Sequence, residues 1–166
     1  MSTRFQRITP FLWFDHQAEE AAQFYVSIFP QSRILATTRY TASSAQASGR
    51  AEGSVMTVDF ELDGQSITAL NGGPVFRFNE AMSLVVHCRS QEEIDYYWER
   101  LLEGAADKKG QCGWIKDRFG LSWQVVPEEM IQWLTSGDAA SMERVQAAIM
   151  RMQKLDLHEL RRAAKG

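Results

Sequence analysis

Three of the residues best suited to chemistry in this chain are His87, Cys88 and Cys112. His87 is the one histidine inside an expected strand, and an imidazole suits general acid-base work. The plainer alternative is a histidine hydrogen-bonded near a pocket wall, since the sequence places no nucleophile or carboxylate beside it. His16 and His158 fall near expected helix starts, at the surface. Cys88 follows His87 and so faces the other side of the same strand, as a small core residue. Cys112, between Gly110 and Gly113, is the more exposed thiol, with Lys108, Lys109 and Lys116 as candidate activating cations. Its plainer alternative is an inert thiol, because a cysteine without a partner base is seldom catalytic. A flat organic ligand needs a largely apolar wall and a few placed polar groups. Trp13, Phe14, Phe76, Phe78, Trp114 and Trp123 are candidates for the wall, and Asn71, Ser122 and Gln124 for the polar groups. Strand alternation turns about half of such aromatics towards the core, and which half stays open.

The bulk properties restrict what those residues can serve. A chain of 166 residues with 45% hydrophobic and 23% charged content buries a sizeable core as one domain, expected over residues 5–166. A formal charge of -3 and a pI near 5.6 disfavour nucleic acid as a partner, and no apolar run is long enough to cross a membrane. The first residues lack the pattern of a secretory signal, and the cysteines lack zinc-site spacing. A cytoplasmic protein with a small organic ligand and no structural zinc is the expectation.

The elements that must position these groups follow from periodicity. Residues 7–14 read as a strand, 18–29 as a helix with Ala21, Phe24, Tyr25 and Ile28 on one face, and 32–40 as a strand. Residues 41–53, small and polar, read as a loop or flap. Met56, Val58, Phe60 and Leu62 alternate with polar residues in a further strand, and Asp63-Gly64 turns it into residues 65–70. This first βαβββ unit spans residues 5–74.

The order recurs over residues 80–127. Residues 82–88 form a strand, Ser90 and Glu93 open a helix as a capping box, and Gly104 ends it. A weakly marked strand is expected within 105–113, then a hairpin of 114–117 and 121–126 closed by Pro127. Residues 16–25 align with 89–98 at an offset of 73, and Gly64-Gln65-Ser66-Ile67 with Gly120-Leu121-Ser122-Trp123 at an offset of 56. The long 41–53 segment accounts for the change in offset. Beyond Pro127, residues 128–165 read as helices apolar on one side, opened by Asp138 and Asp156. They must cover the sheet or a partner subunit.

This order, with ITPFLWFD, EEAAQFYVSIFPQSRI, LNGGP, GQCGW and DRFGLSWQVVP, resembles the PhnB-like branch of the vicinal oxygen chelate superfamily. That superfamily includes glyoxalase I, bleomycin-resistance proteins and extradiol dioxygenases. The resemblance implies an α+β fold in which tandem βαβββ units form a cupped mixed sheet with C-terminal helices, a small organic molecule bound in the cup between the two units, and often a homodimer. Members of the branch carry the label 3-demethylubiquinone 3-methyltransferase. No GxG turn between strand and helix accompanies that label here, and Gly72-Gly73-Pro74 reads as a turn. Metal-using members place ligands on the first and fourth strands of each unit. Those positions carry over to Pro10 (or Thr9 if the register slips), Thr68, Ser83 and Gln124. None is the histidine or carboxylate that a catalytic divalent ion takes, so no cofactor is expected and a metal is disfavoured. Ser83 and His87 lie on one side of their strand. The implied site thus has His87 and Gln124 as candidate catalytic groups, and Phe14, Thr68, Asn71, Ser83, Trp114 and Ser122 as candidate ligand contacts.

Overall fold

The structure is a computed structural model that describes residues 6–135 and 137–166. Phe5, the expected start of the first unit, lies outside the described residues, as do Met1 to Arg4. The chain divides into two compact units, the first ending at Arg77 and the second beginning at Phe78.

In the first unit the order is β1 (Phe11–Phe14), α1 (Ala18–Ile28), β2 (Arg33–Arg39), α2 (Ala42–Ser48), β3 (Val55–Leu62) and β4 (Gln65–Asn71). They form a four-stranded sheet in the order β1-β4-β3-β2, parallel between β1 and β4 and antiparallel elsewhere. The alternation of β3 explains its two faces: Val58, Phe60 and Leu62 are buried, while Thr57, Asp59 and Glu61 are half-buried on the other side. Helix α1 packs on β3 and β4, with Tyr25 stacked on Phe60 at 6.2 Å between ring centroids. Both rings are fully buried, each contributing about 2–3 kcal/mol of hydrophobic stabilisation. Asp63 and Gly64, at φ 45° and 84°, make the expected tight turn, a conformation that Gly64 adopts without the Cβ penalty.

Residues 41–53 are not simply a loop. Thr41 Oγ1 accepts from the Ser44 amide while Ser44 Oγ accepts from the Thr41 amide, and this reciprocal cap opens α2, which Gly49 ends in the left-handed conformation. Serine in place of Glu or Gln at the third helical position hid the box in the sequence.

The second unit contains β5 (Ser83–Cys88), α3 (Gln91–Leu101), β6 (Trp114–Lys116), β7 (Ser122–Pro127), α4 (Met130–Thr135), α5 (Ala139–Ile149) and α6 (Leu157–Lys165). Its sheet has the order β5-β7-β6, again parallel between first and last strands and antiparallel across the hairpin. The strand expected within 105–113 is replaced by one isolated bridge, Gln111 to Trp114. A Cβ at Gly110 would stand 2.2 Å from the Trp98 ring, and Cys112 and Gly113 have φ of 54° and 84°, so this segment follows the helix surface instead of extending. The C-terminal helices cover their own unit: Val145, Ala148, Ile149, Met152, Leu155 and Leu160 form a buried cluster with Val126 of β7. Gln91 joins α6 to α3, its amide donating to the Leu155 carbonyl and its oxygen accepting from the Leu157 amide.

The repeat is visible in the register. Helices α1 and α3 keep the offset of 73, but Thr68 pairs with Phe11 while Gln124 pairs with Val85, an offset of 74 for the first strands. Ser83 therefore corresponds to Thr9, not Pro10, which is the one-residue slip the sequence reading allowed for. Because alternation has period two, that slip decides which residues share a face.

Candidate functional site

Each sheet packs one face against its unit's first helix and presents the other, which in the second sheet the C-terminal cluster covers at Val126, and the chemistry lies on the presented faces. In the first sheet that face carries Phe11 and Trp13 from β1, Ser66, Thr68 and Leu70 from β4, and Thr57, Asp59 and Glu61 from β3. Thr68 Oγ1 donates to Asp59 Oδ1 at 2.6 Å across the β3–β4 pairing. Trp13 Nε1 donates to the Gly73 carbonyl at 2.9 Å, and its ring meets Phe76 edge-on at 4.9 Å. A Cβ at Gly72 would stand 2.2 Å from that indole, so the glycine is what lets Trp13 lie down there. Gly72-Gly73-Pro74 is thus a turn that seats a tryptophan.

Two of the residues expected to touch ligand lie on the helix side. Phe14 is buried beneath α1, opposite in alternation to Trp13. Asn71 is buried too: its Oδ1 accepts from the Ala18 amide at 2.8 Å and its Nδ2 donates to the Val55 carbonyl. Gln17 supplies no side-chain cap to α1, so Asn71 caps that helix from 53 residues away. Its place is structural, and the presented face does not include it.

In the second sheet the presented face carries Ser83, Val85 and His87 from β5, Gln124 from β7, and Trp114 and Lys116 from β6. Gln124 stands between Val85 and Trp114 in the register, and its Nε2 donates to Ser83 Oγ at 2.9 Å. Ser122 pairs with both Ser83 and Lys116; it is 1% exposed, and its hydroxyl has no hydrogen-bond partner. His87 is exposed opposite Val126. Lys116 pairs with Glu80, whose carboxyl this hydrogen bond holds below the ordinary value. Trp123 turns inward, where its Nε1 donates to Asp117 Oδ2 at 2.8 Å. The structure thus brings Ser83, Gln124 and Trp114 together on one sheet.

Sequence reasoning passed over Asp59 and Asp117. Asp59 was legible, since the alternation of β3 puts it opposite Phe60 and its strand neighbour is Thr68. Asp117 looked like a strand end, yet its carboxylate is buried and accepts from the Phe119 and Leu121 amides and the Trp123 indole.

Of the thiols, Cys88 is buried, and burial followed by the charge of Glu93 pushes its pKa up to about 12, which leaves it unreactive. Cys112 contacts the Gln111 amide and the Met150 sulfur, and Lys116 is taken by Glu80. A cavity of about 610 Å³ opens at Glu129, Trp133, Asp138, Ser141, Arg161 and Lys165. None of the candidate catalytic or ligand-contact residues lines it.

Residues 6–126 match the model of a family described as 3-demethylubiquinone-9 3-methyltransferase. A solved PhnB protein from Bacillus cereus, whose description carries the same methyltransferase name, is 34% identical, with TM-score 0.60 over 73% of this chain and 99% of its own. The chain belongs to this PhnB-like family. A structure from Pseudomonas aeruginosa, 18% identical over 74% of this chain and 98% of its own, has TM-score 0.56 and shares the fold. A glyoxylase/bleomycin resistance protein/dioxygenase domain from Frankia sp. is 16% identical, with TM-score 0.47 over 75% of this chain and 94% of its own. No curated protein matches. The α+β fold with two sheets agrees with the family resemblance, and the family match ends at Val126, before the C-terminal helices.

With the corrected register, the positions that the resemblance associates with metal ligands are Thr9, Thr68, Ser83 and Gln124. Three hydroxyls and an amide, with no histidine or carboxylate among the four, do not fit a catalytic divalent ion. Among the described residues no three of His, Cys, Asp or Glu gather closely enough to hold one. No helix among them is long and apolar enough to cross a membrane.

Proposed function

We propose that this PhnB-like protein binds a small organic molecule on the presented face of its second sheet, with no resident metal. The observation that carries the reading is the row Trp114, Gln124 and Ser83. An indole 37% exposed lies directly across from an amide that is already oriented by its bond to Ser83. A flat apolar surface beside a fixed hydrogen-bonding group suits a ring-bearing organic ligand. Saturation-transfer NMR against a library of uncharged aromatic fragments tests it. Hits that are lost in Trp114→Ala and weakened in Gln124→Ala support the proposal, and an empty screen or hits indifferent to both changes ends it. Elemental analysis that finds stoichiometric Zn, Ni, Mn or Fe in purified protein refutes the metal-free part.

Transfer of a methyl group, as the family name would have it, has less support, because the Gly72-Gly73 turn seats Trp13 and follows a strand without opening a helix. Calorimetry with S-adenosylmethionine decides this, with no binding expected. A lyase, isomerase or dioxygenase is the second reading, favoured by His87 on the same face as Ser83 and Gln124. Turnover unchanged in His87→Ala would remove that histidine from any mechanism. The chain is further proposed to be a cytoplasmic homodimer, a reading supported by exposed Ile34 and Leu35 on the edge strand β2 and by two free cysteines. A monomer mass by light scattering at micromolar concentration rules out the dimer.

A further inference from the structure

Beside the row of Trp114, Gln124 and Val85, a second row crosses the same face of the second sheet. Ser83 of β5, Ser122 of β7 and Lys116 of β6 stand in register, each two residues along its strand from a member of the first row. Alternation therefore puts all three side chains on the presented face, while Trp123 between Ser122 and Gln124 turns inward. Ser122 is 1% exposed, and among the described residues its hydroxyl has no hydrogen-bond partner. A buried hydroxyl without a partner costs free energy, so in a native fold it calls for a use. Ser83 accepts the Gln124 amide and keeps its own hydrogen to donate. The row thus holds two hydroxyl donors and an ammonium, the chemistry that receives an anion.

One anion already stands there. Lys116 pairs with Glu80, which lies on the chain that enters β5. Because β7 separates β5 from β6, this ion pair crosses the face at the start of β7, where Ser122 lies. The two side chains are 48% and 64% exposed, so the pair adds little to the stability of the fold and opens at little cost. We propose, resting on the reading that this sheet binds a ring-bearing molecule, that the ligand carries a carboxylate whose place Glu80 holds in the free protein. The ligand's ring lies on Trp114. Its carboxylate displaces Glu80 from Lys116 and accepts from the Ser83 and Ser122 hydroxyls, which gives the buried hydroxyl a charge-assisted partner. Glu80 is then an internal competitor, and it lowers the apparent affinity by the fraction of time it spends on Lys116.

The test is calorimetric titration of the full chain with naphthoate and with its neutral, nearly isosteric amide, naphthamide. Naphthoate should bind about tenfold more tightly, the difference between a charge-assisted and a neutral contact. Glu80→Gln should tighten naphthoate about threefold and leave naphthamide unchanged. Lys116→Met should remove the preference for the acid. Ser122→Ala should weaken naphthoate, yet the urea midpoint of the free protein should stay the same or rise, because the change deletes an unpaired buried group. A midpoint lowered in Ser122→Ala would show a structural hydroxyl and overturn its part in binding. Equal binding of acid and amide, with both lost in Trp114→Ala, overturns the carboxylate and leaves the aromatic reading standing. If neither binds at millimolar concentration, both readings fall. Naphthoate affinity that is unchanged or weaker in Glu80→Gln overturns the role given to Glu80.

Discussion

The two units repeat one plan, yet they satisfy their buried polar groups in opposite ways. In the first, the start of α1 has no cap of its own and relies on Asn71, contributed by the last strand of the sheet. In the second, Ser90 caps α3 directly, with its Oγ accepting from the Glu93 amide, while Glu93 reaches back to the Arg89 amide. The hairpin turns reverse the contrast. Asp63-Gly64 turns through its backbone conformation with one exposed hydroxyl, Ser32, accepting from the Asp63 amide, whereas the longer turn before β7 is organised around the buried carboxylate of Asp117. The presented faces differ at equivalent positions too, since Thr68 donates to a carboxylate and Gln124 to a hydroxyl. A duplicated fold therefore conserves strand order and pairing, while each copy finds its own partners for the groups it buries.

The largest test of this contrast is Asp117→Ala. It removes the carboxylate that accepts from the Phe119 and Leu121 amides and the Trp123 indole, two of them in buried residues, and should cost about 4 kcal/mol. Urea unfolding measures it, and a loss below about 1 kcal/mol would mean that the turn holds itself. Asn71→Ala should follow at about 3 kcal/mol, because it leaves the Ala18 amide and the Val55 carbonyl unpaired in the core. Hydrogen exchange locates the damage: faster exchange at the first turn of α1, with α3 unaffected, is the expected pattern. Ser90→Ala removes only a local cap and should cost about 1 kcal/mol. If Ser90→Ala proved as damaging as Asn71→Ala, the distinction between borrowed and local caps would fail.

What could be read from the sequence divides along the same line. Local devices were legible: the alternation of β3, the Asp63-Gly64 turn, the Ser90 cap, and Asp138 and Asp156 at the starts of α5 and α6. Long-range ones were not. That Asn71 is a helix cap depends on a pairing 53 residues away, and nothing near it signals the role. Alternation separates Phe14 from Trp13 without saying which of the two faces α1, so Phe14 reads equally well as a ligand contact. The one-residue slip from Pro10 to Thr9 has the same origin, since short strands constrain register weakly from sequence alone. For the candidate site, the row of Ser83, Gln124 and Trp114 was named residue by residue, but its convergence is a property of the β5-β7-β6 order.

The smallest expected effect concerns the helices that only the second unit carries. Arg161 meets both carboxylate oxygens of Glu129, and this hydrogen bonding holds the Glu129 carboxyl below its ordinary value. A depressed folded-state pKa stabilises the fold at pH values above the unfolded-state value, and that contribution disappears as pH falls through the folded-state pKa. The pair is partly exposed, so its share stays below about 1 kcal/mol. Glu129→Gln should thus lower stability slightly at pH 7, with a deficit that shrinks as pH falls below the ordinary carboxylate range, measured by urea unfolding across that range. If the deficit does not change with pH, the loss comes from packing at α6, and the ion pair makes no separate contribution to holding that helix.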